Sequence, residues 1–251
     1  MLAKNADRTC TYFAIDYEPL VGPKLGELAG QICAKYKPDN LGMAIPTAYS
    51  FGWPGKKSLL TMGVKRIAWQ SLGLSQWQER LKDDGAMFRS SIEVLGVKEI
   101  KRIGFKVTAF LPLQMSHAEL CNLMFGSFMA PLEELETVLG HPKDPLFHVE
   151  GEYDGFEYLL DLTAVSKAQI TQAFHSIPNL DHFVSDKFLD CSLRDFHDRI
   201  AASDCVSFDI DLFQKNVAAA SLETFLKSSF SKAEEMADKC VRRLQCKPLK
   251  A

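Results

Sequence analysis

The twenty residues from Leu146 to Val165 read LFHVEGEYDGFEYLLDLTAV. Asp154-Gly155 stands between two strand-like runs, and Asp-Gly favours the type I′ turn whose twist suits a two-residue β-hairpin. Such a turn pairs Tyr153 with Phe156, Gly151 with Tyr158, Val149 with Leu160 and Phe147 with Leu162. That register makes one face almost wholly apolar and puts His148, Glu150, Glu152, Glu157 and Asp161 on the other. Turn chemistry and side-chain alternation agree, so the segment predicts an antiparallel sheet with one dry side and one wet side.

Outward from the hairpin, Arg102 to Phe110 (RIGFKVTAF) predicts a strand closed by Leu111-Pro112-Leu113. Ser116 and Glu119 form a capping-box pattern that opens a helix with Leu120, Leu123 and Met124 inward. Pro131 predicts a kink or restart before Gly140. Downstream, Ser166 to Ser203 reads as short helices and loops. Val206 to Phe213 (VSFDIDLF) alternates apolar residues with Asp209 and Asp211, and Leu222 to Leu244 carries the apolar stripe of a long closing helix.

The first part of the chain follows a similar order. Thr11 to Glu18 is strand-like, and Gly22-Pro23 opens a helix with Leu25, Leu28, Ala29, Ile32 and Tyr36 on one face. Gly22, Gly26 and Gly30 predict close contact of that helix with a sheet. Strand candidates follow at Leu41–Ile45, Ala48–Trp53 and Leu59–Trp69, with a turn at Trp53-Pro54-Gly55-Lys56. A helix capped by Ser75 and Gln78 then runs to about Leu95, with Trp77, Leu81, Phe88 and Ile92 inward. Tyr12 to Leu20 (YFAIDYEPL) aligns without gaps on Phe105 to Leu113 (FKVTAFLPL), which favours duplication over coincidence. The expectation is an α+β fold of two tandem β-α-β-β-α units, 8–97 and 98–251, with mainly antiparallel sheets and a long C-terminal helix. The two units form separate domains or one compact domain.

Composition narrows the function. Apolar residues make up 47% and charged residues 24%, an ordinary globular balance, and the net charge is −3. With pI near 6.1 and no basic stripe, nucleic-acid binding through phosphate contacts is not expected. No apolar run is long enough to span a bilayer, and residues 1–10 lack the apolar core of a secretory signal. Seven irregularly spaced cysteines without a C-x-x-C pair read as small core residues of a reducing compartment, and no zinc site or other cofactor is predicted.

Several of these phrases together resemble a sporadically distributed family of bacterial proteins of uncharacterised function. They are Ile15–Leu20, Tyr49-Ser50-Phe51-Gly52-Trp53, the helix holding Trp77 and Phe88, the Arg102-Ile103-Gly104-Phe105-Lys106 strand, and Asp209-Ile210-Asp211-Leu212-Phe213 before the closing helix. The family's Arg-Ile-Gly strand often ends in Tyr-Asn, where this chain has Val107-Thr108. The resemblance implies a bacterial, cytoplasmic protein and supplies no reaction.

Three places invite chemistry. Asp209 and Asp211 lie two apart on a strand, so their carboxylates share one side about 6.6 Å apart along the chain. They hold a divalent cation if other oxygens converge, and otherwise keep a wet face soluble. His148 opposite Asp161 is either a metal or acid–base pair or simply part of that wet side. Arg102 reaches an anionic ligand or pairs with an acid such as Glu99 or Asp211. Gly55-Lys56-Lys57-Ser58 lacks the spacing of a phosphate-binding loop. Without G-x-S-x-G, H-E-x-x-H or G-x-G-x-x-G, the reading that follows is a non-enzymatic cytoplasmic binding or assembly protein with a protein partner or self-association. The alternative is a metal-dependent enzyme or ligand binder using the D-x-D strand and the acidic hairpin face.

Overall fold

The Asp154-Gly155 hairpin forms in the register its sequence dictates, Tyr153 opposite Phe156 and His148 opposite Asp161. Both turn residues have positive φ, 49° and 82°, as a type I′ turn requires. The computed structural model describes residues 9–19, 22–45, 48–53, 58–72, 77–129, 132–140, 143–175 and 198–245. The expected turn at Trp53–Lys56, the Ser75 cap, Pro131, Cys191, Cys246 and residues 176–197 lie outside these, as do the Trp77 and Leu81 side chains.

In chain order the strands are β1 (Thr9–Asp16), β2 (Asn40–Ile45), β3 (Ala48–Trp53), β4 (Ser58–Gly63), β5 (Arg66–Leu72), β6 (Glu99–Pro112), β7 (Leu146–Tyr153), β8 (Phe156–Val165) and β9 (Cys205–Ala218). The helices are α1 (Gly22–Tyr36), α2 (Trp77–Leu95), α3 (His117–Phe128), α4 (Leu132–Leu139), α5 (Lys167–His175) and α6 (Leu222–Gln245). Among the described residues, all nine strands join one antiparallel sheet, ordered β2-β3-β4-β5-β1-β6-β9-β8-β7. The fold is therefore α+β with a long C-terminal helix.

Both halves are wound on one plan. The first strand of each, β1 or β6, goes to the centre, and later strands step inward from an edge until the last pairs with the first. The first half has four strands after its helix instead of the expected short set. Leu59–Trp69 was expected as one long strand, but it folds back on itself at Val64-Lys65 into β4 and β5. That turn has no Gly-Asn or Pro-Gly signal because Tyr17 holds it from outside. The Tyr17 hydroxyl donates to the Gly63 carbonyl at 2.5 Å, and its N–H to the Lys65 carbonyl at 3.0 Å. Strand parity explains the helices. β1 and β2 run the same way, so one helix returns the chain; β6 and β7 run oppositely, so their link needs the pair α3 and α4.

One sheet face is covered by α1, α2, α3 and α6, and a single core draws on both halves: Phe13, Phe51 and Phe88 with Phe105, Phe208 and Phe225. Gly26 and Gly30 of α1 do not mark close approach, and the surroundings of Gly22 lie outside what is described. A Cβ on Gly26 would meet only the Tyr49 hydroxyl at 3.8 Å, and Gly30 has nothing within 4 Å. On the opposite face α5 and residues 198–201 cap one end, where Ile170 and Ile200 bury Cys205. Among the described residues no helix is long and apolar enough to cross a membrane.

Candidate binding face of the sheet

Strand alternation sends every second side chain of β5, β1, β6, β9, β8 and β7 to the face that α1, α2, α3 and α6 leave uncovered. Gly104 decides what happens at its centre. It stands opposite Phe213, and its missing side chain lets Arg102 lie across the strand, its guanidinium 4.4 Å from the Phe213 ring centre. Arg102 Nη2 thereby reaches Asp211 Oδ2 at 2.9 Å. A Cβ on Gly104 would already touch Arg102 Nη1 at 3.5 Å and Asp211 Oδ1 at 3.6 Å. Of the open alternatives for Arg102, the geometry selects pairing with Asp211.

Lys106 is the residue that sequence reasoning passed over. Its Nζ lies 2.9 Å from Asp209 Oδ2, and Thr108 donates to the same oxygen at 3.4 Å. Asp161 stands directly across from Asp209, so two like charges would repel without a cation between them. Burial works to lower the Lys106 pKa, but Asp209, with Asp211 and Asp161 beyond it, outweighs burial and raises it. Burial raises the Asp209 pKa, and Lys106 opposes that. Only tertiary pairing marks Lys106, although its alternation with Arg102 and Gly104 was a signal that it shares their face.

His148 Nδ1 lies 2.5 Å from Asp161 Oδ1, and Nε2 lies 3.2 Å from Glu150 Oε1. Both ring nitrogens face carboxylates, which raise the His148 pKa above its ordinary value, Asp161 most strongly. When protonated, the ring bridges the two carboxylates and turns no lone pair to a metal. Among the described residues, one group of three potential metal-ligand atoms lies within 4.8 Å of one another: His117, Cys121 and Asp144. Asp209, Asp211, His148 and Asp161 make no such group; they form an ion-paired lattice.

Toward β3 the same face becomes concave. A cavity of about 250 Å³ is lined by Tyr12, Thr61, Arg66 and Gln70 around the small residues Ala48, Gly63 and Ala68. Arg66 grips Asp16 with Nε and, at 2.8 Å, with Nη2. Next to Thr61 on β3, Ser50 Oγ is buried without a hydrogen-bond partner among the described residues. A larger hollow of about 440 Å³ lies where α2 ends and α6 begins. There Arg89 and Glu223 pair at 3.2 Å across a notch between helices, so we favour the sheet face despite its smaller volume. No family model matches the chain, and comparison with curated proteins returns no match.

Proposed function

We propose that this chain is a cytoplasmic, non-enzymatic binding or assembly protein that receives a protein partner on the uncovered sheet face. The cavity beside the ion-paired lattice carries the reading. At about 250 Å³ it falls below the ~300–1,000 Å³ of small-molecule pockets and suits a side chain. Tyr12 and Arg66 on its rim are residue types that dominate interface energetics. The resemblance through the Arg102–Lys106 and Asp209–Phe213 strands is compatible with a bacterial cytoplasmic protein. The alternative, a metal-dependent enzyme or ligand binder on the D-x-D strand, fits less well, because the Lys106 ammonium and the Arg102 guanidinium already sit where a cation would.

The test is photo-cross-linking in native lysate with a benzophenone amino acid at Thr61, against a control at Glu27 on the outer side of α1. A discrete adduct from Thr61 alone is expected. An adduct at twice the chain mass identifies self-association, and another mass identifies a separate protein. No adduct at Thr61, or equal labelling at Glu27, would remove the proposal's basis.

A further inference from the structure

We infer that His117, Cys121 and Asp144 form a binding site for a borderline divalent cation of the zinc class, away from the sheet face. His117 opens α3 and Cys121 follows one turn later, so both project from the same side of the helix. Asp144 arrives from the link that leads into β7. His117 Nε2 lies 3.6 Å from Asp144 Oδ1, and the Cys121 sulfur lies 3.9 Å from the same nitrogen. A tetrahedral zinc with bonds of about 2.0–2.3 Å places its ligand atoms about 3.3–3.6 Å apart. The two separations made by His117 therefore stand within a few tenths of an ångström of that spacing, and all three ligand atoms lie within 4.8 Å of one another.

The surroundings hold those ligands where a metal needs them. Asp204 Oδ2 accepts the His117 N–H at 3.0 Å and fixes the start of α3. Thr163 donates to the Pro145 carbonyl at 2.9 Å and fixes the residue after Asp144. Buried Cys121 makes the floor, His117 is partly exposed, and Asp144, with 62% of its side chain exposed, makes the rim. The fourth tetrahedral position opens to solvent for water or an outside donor.

Charge and donor type select the ion. A thiolate and a carboxylate together balance a 2+ charge, so the occupied site is neutral once Cys121 has released its proton to solvent. The start of α3 opposes a cation through its backbone dipole, and Asp204 and Glu119 at the same terminus offset that field. One sulfur, one imidazole nitrogen and one oxygen suit Zn²⁺ or Co²⁺; Mg²⁺ and Ca²⁺ demand mostly oxygen. Because the ligands come from α3 and from the approach to β7, the ion would clip the edge hairpin to the helix layer.

The test uses the full chain, stripped with a chelator and titrated with Co²⁺. One saturable equivalent is expected, with a sulfur-to-cobalt band in the near ultraviolet and visible bands of tetrahedral intensity, all displaced by Zn²⁺. Cys121→Ala should abolish the sulfur band while Cys240→Ala retains it. Asp144→Asn, at an exposed position that leaves folding intact, should keep the band and weaken affinity at least about tenfold, the scale seen when even an outer-sphere partner is lost. Zn²⁺ should raise the thermal midpoint and slow amide exchange in β7, and Mg²⁺ should do neither. Absence of a saturable band, its persistence in Cys121→Ala, unchanged affinity in Asp144→Asn, or equal stabilisation by Mg²⁺ would each overturn the assignment.

Discussion

At Gly104 a single hydrogen in place of a side chain decides how the charged lattice closes. The Arg102–Asp211 pair is partly buried, with 31% and 19% of the side chains exposed, and is roofed by Phe213. A double-mutant cycle between Arg102→Ala and Asp211→Ala should return a coupling of about 0.5–1 kcal/mol, at the upper end for pairs that water still reaches. Gly104→Val should erase that coupling, because its γ-methyls occupy the guanidinium's path, and should lower stability by about 1–2 kcal/mol in urea titration. His148 supplies a pH readout. Its folded pKa is raised by Asp161 and then Glu150, so its contribution is complete below the unfolded value near 6.5 and is lost as pH rises through the higher folded value. NMR titration of the ring should show that upward displacement, and Asp161→Asn should bring it most of the way back. A ring titrating at or below 6.5 would rule out the imidazolium bridge.

Between elements, the decisive device is Asp204. Its Oδ2 accepts from His117 at the head of α3, and its Oδ1 accepts from Lys167 at the head of α5 at 2.9 Å. Both helices also carry serine caps, Ser116 with Glu119 and Ser166 with Gln169. Asp204→Ala removes one acceptor from each terminus and should destabilise by about 1–2 kcal/mol, with faster amide exchange confined to the first turns of α3 and α5. Global acceleration would mean the carboxylate does something more. How far these elements could be read from the chain follows from the range of their causes. The Asp154-Gly155 hairpin, the Ser116 cap and the α6 stripe rest on neighbours within a few residues, so sequence spells them out. The β4–β5 reversal depends on Tyr17, just past the end of β1, and left no local mark. His117 and Cys121 had helical spacing in view, but Asp144 joins them only through the path of the chain between α4 and β7. Lys106 lay hidden because its meaning comes from Asp209, a residue about a hundred positions later.

Across the whole molecule, the pairing of β1 with β6 is the seam between the two halves, and it is a dry one on its helical side. Phe13 faces Phe105 and Ile15 faces Ile103, all with at most 2% exposure. Above the seam α6 packs on both sides: the Phe225 ring lies 6.1 Å from Phe13 in the first half and 5.4 Å from Phe156 in the second. Opening either half exposes the apolar face of the other, so unfolding should be one cooperative transition. The sequence offers a clean way to check, since all three tryptophans, Trp53, Trp69 and Trp77, belong to the first half. Their fluorescence should follow the same urea curve as a fluorinated phenylalanine at buried Phe208 in the second half. Phe225→Ala should lower stability by about 3–5 kcal/mol and move both curves together, because the residue it removes belongs to both halves. Two separated midpoints, or a shift in the tryptophan signal alone, would mean that the halves are independent units that merely share a sheet.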